Sequence, residues 1–160
     1  MRSGTLNVPG IVGLGKACEI ALKEMEKDAA HASMLRNKLE AALLEIEETN
    51  VNGSPIHRLP HTTNLCFHFV ESEGLLMALN KLIALSSGSA CTSGSLEPSY
   101  VLKALGLSDE LAHSSLRFGI GRFTTEQEID FTIEKVKEAV QNLREISPLW
   151  EMSRAAIGNK

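Results

Sequence analysis

Neither a cluster of lysines and arginines nor a long apolar run occurs in this 160-residue chain. Lys and Arg number 16 against 20 Asp and Glu, for a formal net charge of −4. Without a basic patch there is no electrostatic footprint for nucleic acid or an anionic membrane surface. No stretch reaches the ~18 consecutive apolar residues of a membrane span, and the first residues carry no signal-peptide pattern. Cysteine is scarce too: three residues, an odd number with no CxxC pair. That excludes a disulfide framework and points to a reducing compartment. One Trp, one Tyr and five Phe leave the core to Leu, Ile, Val and Ala. What remains is ordinary for one soluble domain, 43% hydrophobic and 22% charged.

Helical and extended patterns alternate along the chain. From Ile11 to about Glu48, apolar residues recur at Leu14, Cys18, Ala21, Leu22, Met25, Ala29, Ala32, Leu35, Leu39, Leu43 and Ile46. Steps of three and four make a helical stripe. Its length predicts a break, a coiled coil or a helix bridging two domains, closed by Asn50, Asn52, Gly53, Ser54 and Pro55. Asn64–Val70 alternates as a strand, with Leu65, Phe67 and Phe69 set against Cys66, His68 and Val70. Leu75–Leu85 reads as helix. Pro98 as a first-turn proline and Gly106 as a stop frame a short helix over Tyr100–Leu105. Ser115–Ile120 reads as a second strand. Thr125 and Glu128 form a capping box for a helix carrying Ile129, Ile133, Val136, Val140 and Leu143, which ends near Pro148. The fold class expected is α+β, a small sheet covered by helices, too small to cover the N-terminal helix along its full length.

The three thiols differ in setting. Cys18 lies on the helical stripe and Cys66 within a strand, so both are expected to be buried and inert. Cys91 sits in SSGSACTSGS, residues 86–95, bracketed by Gly88 and Gly94 with no apolar periodicity. A flexible ten-residue chain has an r.m.s. span of roughly 17 Å, so a thiol there can visit two separate places. Composition leaves three readings open: a mobile nucleophile, an incidental cysteine in a surface linker, or a Ser/Gly cradle for an anion. His57, His61 and His68 match no standard zinc spacing, His113 reads as a capping or turn residue, and the Glu45–Glu48 run as a solvated face. Leu96, Trp150 and Met152 are candidates for a docking surface, although Trp150 could equally pack onto the domain.

The order of motifs goes further than composition. The stretch SSGSACTSGSLEPSYVLKALGLSDELAHSSLRFGIGRFTTEQEID, with MRSGT before it and SPLWEM after it, strongly resembles pyridoxal-phosphate-dependent cysteine desulfurases of the iron–sulfur cluster assembly type. The resemblance runs from Arg2 to about Met152. It implies the C-terminal small domain of a fold-type I enzyme: residues 1–20 end the cofactor segment and start the bridging helix, 21–150 form the small domain with its cysteine loop at 86–97, and 151–160 are a tail. It implies that Cys91 accepts sulfur from L-cysteine as a persulfide and passes it to scaffold or acceptor proteins, where it could also serve as a transient iron–sulfur cluster ligand. Arg117, in SSLRFG, would bind the substrate carboxylate. Thr5, in RSGT, would reach the cofactor phosphate of the neighbouring subunit of a homodimer, with Arg2 near the same site.

The cofactor-lysine motif of that family is not found in this sequence, and HRLPHTTN diverges locally from the family pattern. The resemblance therefore implies a C-terminal fragment, inactive alone, of a cytoplasmic enzyme or, as the alternative, one of the mitochondrial matrix. Two other classes are a stand-alone sulfur-carrier module using Cys91, and an interaction module built on a coiled coil over Ile11–Glu48.

Overall fold

The computed structural model describes residues 3–87 and 97–158. Helix α1 spans Val8–Leu43, 36 residues without a break, or roughly 54 Å at 1.5 Å per residue. Asn7 caps it by accepting from the Gly10 N–H, and Pro9 sits in its first turn. The apolar stripe is continuous in sequence, but only its C-terminal part is buried: Ala32, Leu35, Leu39 and Leu43 enter the core. Ile11, Leu14, Leu22 and Met25 are exposed.

Three antiparallel strands follow in spatial order β1-β2-β3: β1 Thr49–Val51, β2 Thr62–Phe67 and β3 Ser115–Gly119. Leu65 pairs with Val51 and Leu116, and Asn64 with Arg117. The sequence pattern did not show β1, which has three residues and follows a turn with Glu48 at φ 52°. The second strand also begins earlier and stops sooner than its alternation predicts. Phe69 adopts φ 66°, a left-handed conformation that takes the chain off the strand.

Helices α2 (Ser72–Leu79), α3 (Tyr100–Ala104) and α4 (Asp109–His113) come next, α3 packing against α4 and α4 against β2. The predicted 75–85 helix is thus shorter and shifted. Ser99 occupies the cap position of α3, so Pro98 precedes the cap instead of opening the helix, while Gly106 at φ 89° follows its end. The single-turn α4, capped by Ser108 at the Leu111 N–H, is too short to register as periodicity. Helix α5 (Glu126–Glu145) carries the predicted capping box, and α6 (Pro148–Gly158) forms where the sequence pattern predicted none. One face of the sheet, with Leu65, Phe67, Leu116 and Phe118, joins Leu35, Leu39, Leu75, Ile129, Val136 and Val140 in a single core.

Two polar groupings tie the periphery to that core. Arg144 of α5 is buried and donates to the carbonyls of Glu47, Glu48 and His68 while stacking 4.4 Å from the Trp150 ring. It thereby holds the turns at Glu48 and Phe69, and Trp150 packs inward against Phe69, at 5.6 Å between rings. Replacing Arg144 with methionine removes the donors and leaves several carbonyls without partners. We predict a loss of about 2–3 kcal/mol, read as a lower urea midpoint with an unchanged slope.

On the other side, Arg58 forms a two-point ion pair with Glu40 of α1, at 2.5 and 2.8 Å, and Thr63 donates to the same carboxylate. The Arg58 hydrogen bond, opposed by burial and reinforced by Thr63, holds Glu40 below the usual carboxylate range. A lowered pKa means that the folded state favours the ionised form, so the contribution is fully present above the unfolded value. It is lost as pH falls through the lowered one. The stability difference between wild type and Glu40→Gln should therefore be constant near neutrality and shrink on acidification below about pH 4. Urea titrations across that range measure it.

Candidate functional site

Alternation along β3 sets the geometry. Leu116 and Phe118 face the core, so Arg117 must project from the opposite face, where it is exposed. Beside it on that face lies a polar row. Asn64, the cross-strand partner of Arg117, accepts from the Asn52 amide at 2.6 Å. The same amide nitrogen donates to the Ser115 hydroxyl at 2.8 Å, and that hydroxyl donates to the Leu111 carbonyl at 2.7 Å.

At the outer edge of β3, Ser86 forms an isolated antiparallel bridge with Arg117. The Arg117 N–H donates to the Ser86 carbonyl at 2.8 Å, and Nη2 donates to the Ser86 hydroxyl at 3.3 Å. Ser86 begins the segment that contains Cys91. The structure thus joins the stem of that segment to the strand bearing Arg117. Cys91 itself, like Arg2 and Leu96, lies outside the described residues.

Thr5 is exposed two residues before the cap of α1. Between Ala21, which lines a groove with Pro60, His61, Ile120 and Arg122, and the start of α1 run roughly 20 Å of helix. Thr5 and Arg117 are therefore not brought together within the described residues.

The other two thiols separate from each other. Cys66 is fully buried, its Sγ 3.4 Å from the Leu111 carbonyl, and burial pushes the thiol pKa up. Its burial matches the expectation. Cys18 is exposed, which corrects the expectation of a buried position. It lies on the part of α1 where Ile11, Leu14 and Leu22 are also exposed. His68 bonds Asn50 at 2.6 Å, and His113 ends α4.

A cavity of about 660 Å³ opens between the start of α2, the end of α4 and the start of α6. Glu71, Glu73, Glu97, Glu110 and His113 line it, with no lysine or arginine among the described residues. A phosphate group needs cationic or N–H donors, and a covalently held aldehyde cofactor needs an amine. The described lining of this cavity therefore does not fit a complete pyridoxal-phosphate site.

Ser86, Asn52, Asn64 and Ser115 were not singled out from the sequence as site-forming residues. Strand register alone puts them beside Arg117, and no local pattern encodes register across intervals of this length.

Comparison with known proteins decides the family. Residues 1–131 match the aminotransferase class-V family model. The chain belongs to that family. It is 60% identical to "Cysteine desulfurase IscS" of Mannheimia succiniciproducens over 98% of its own length, and spans 39% of that protein. It is 59% identical to "Cysteine desulfurase, mitochondrial" of Arthroderma benhamiae, again over 98% of its length, spanning 31% of that protein. Among solved structures, a NifS-like protein superposes with a TM-score of 0.76 and 31% identity, covering 89% of this chain and 36% of that one. This class-V chain thus spans about two fifths or less of the relatives it matches.

Differential thiol labelling tests the geometry. In the native 160-residue chain, iodoacetamide should modify Cys18 rapidly and Cys66 only after denaturation. Peptide mass spectrometry should show no change in the native pattern at Cys18 when Cys66 is replaced by alanine.

Proposed function

We propose that this chain is the C-terminal part of a pyridoxal-phosphate-dependent cysteine desulfurase that converts L-cysteine to L-alanine and hands on the sulfur. One observation carries the reading: 60% identity over 98% of the chain to a desulfurase, in a chain whose only guanidinium on β3 stands exposed at the stem of its Ser/Gly cysteine segment. Arg117 binds the substrate carboxylate through its planar fork of donors. The Cys91 thiolate receives the sulfur as a persulfide and delivers it to an iron–sulfur scaffold or other acceptor protein, where it can also ligate a forming cluster. Cys91 stands five positions after Ser86, a reach of at most ~18 Å, which supports a shared site with Arg117.

The cofactor and the lysine that carries it belong to residues beyond this sequence, in a homodimer where Thr5 of one subunit donates its hydroxyl to the cofactor phosphate of the other. Residues 1–20 then end the cofactor segment, and the exposed apolar part of α1 packs against the rest of the enzyme. The enzyme is cytoplasmic, a reading supported by the bacterial sources of relatives such as that of Mannheimia succiniciproducens, with the mitochondrial matrix as the alternative, supported by the name of the Arthroderma benhamiae relative.

Three measurements test this. The 160-residue polypeptide, given pyridoxal phosphate and L-cysteine, should release no sulfide. In the complete enzyme carrying this chain, Cys91→Ser should abolish protein persulfide formation from labelled L-cysteine. Arg117→Ala should raise KM for L-cysteine on the order of tenfold to a hundredfold. Persulfide formation surviving in the Cys91 variant would overturn the reading.

A further inference from the structure

We propose that Ser86 is the positioning residue for Arg117, holding its guanidinium in the orientation that receives the substrate carboxylate; this deepens the function proposed above and rests on it. Arginine is long and rotamer-rich, and an exposed one has to be ordered before it can present a paired edge to a planar anion. Ser86 contacts the residue at both ends. Its carbonyl takes the Arg117 backbone N–H at 2.8 Å, and its hydroxyl takes Nη2 at 3.3 Å. The first contact fixes where the side chain starts, and the second fixes where it finishes. Of the five guanidinium N–H donors this uses one, and a two-donor edge remains for a carboxylate.

The acceptor on the opposite side of β3 is already engaged. Asn64, directly across from Arg117, has its side-chain oxygen 2.6 Å from the Asn52 amide. That amide is shared with Ser115, whose hydroxyl is anchored on the Leu111 carbonyl. The β2 side of the row is therefore closed on itself, and the orienting hydroxyl comes from the Ser86 side. Because Ser86 also opens the segment bearing Cys91, one residue serves both as the anchor of that segment's stem and as the guide of the carboxylate-binding group.

Two contacts of different kinds allow a selective test. Ser86→Ala removes the hydroxyl and retains the backbone bridge, whereas Ser86→Thr keeps both. In the complete cofactor-loaded enzyme, Ser86→Ala should raise KM for L-cysteine roughly threefold to tenfold, with kcat changed less than twofold and Ser86→Thr restoring KM. In an Arg117→Ala background, Ser86→Ala should add nothing, because its effect passes through the guanidinium. An unchanged KM in Ser86→Ala, or an undiminished effect in the Arg117→Ala background, overturns the inference.

Nitrogen-15 spectra of the 160-residue chain separate the inference from the reading beneath it. Ser86→Ala should shift the Arg117 side-chain resonances while its backbone amide stays protected from exchange. If that shift occurs but Arg117→Ala leaves KM unaltered, positioning of the arginine stands and the carboxylate-binding role falls. If the resonances do not move, positioning falls whatever the kinetics.

Discussion

Leu116 and Phe118 are buried against helices α1, α2 and α5, and β3 has no freedom left once they are. A strand alternates its side chains, so burial of those two commits Arg117 to the other face. A slip of one residue would push a guanidinium into hydrocarbon and expose two large apolar side chains, at a cost of several kcal/mol. The register is thus fixed by the core, and the position of the one cation on the strand follows from it. Placement of Ser86 and Asn64 beside Arg117 is a further consequence, through pairing on either edge.

Arg144 plays a comparable part at the other end of the molecule. Burying a guanidinium is unfavourable unless its donors are satisfied, and here they meet carbonyls from two turns and the face of Trp150. Those turns contain Glu48 and Phe69, the two non-glycine residues with positive φ among the described residues. Such conformations carry strain that persists where surroundings over-determine them, and Arg144 supplies that constraint. The same contacts seat α6 through Trp150 and so shape one wall of the acidic cavity, to which Pro148 and Leu149 contribute.

Helix α1 divides by partner, not by sequence. Its stripe from Leu14 to Leu43 is uniform, yet burial begins only at Ala32. The sheet and α5 reach no farther, and beyond them Arg122 pairs with Glu24 and Asp28. The expectation that Cys18 is buried failed for this reason: an apolar stripe reports a surface that avoids water, whereas the partner that covers it must come from elsewhere. A helix of this length with half its apolar face uncovered fits a class-V family member that represents about two fifths or less of its relatives' length.

The residues themselves determined a good deal. The capping box of Thr125 and Glu128, the stripe of α5, the strand at Ser115 and the stop at Gly106 are local features, set by neighbours within four residues. The family was legible because long contiguous motifs survive in the primary chain. Strand β1 and helix α4 were not legible, since three and five residues hold no measurable period and owe their form to what they pack against. Nor could the sequence reveal that Ser86 meets Arg117 across a separation of 31 residues. Pattern within a chain records which side chains shun water, and so it determined the elements and their faces. Which face lies against which, and hence which hydroxyl reaches which guanidinium, is decided only when distant segments compete for the same buried surface.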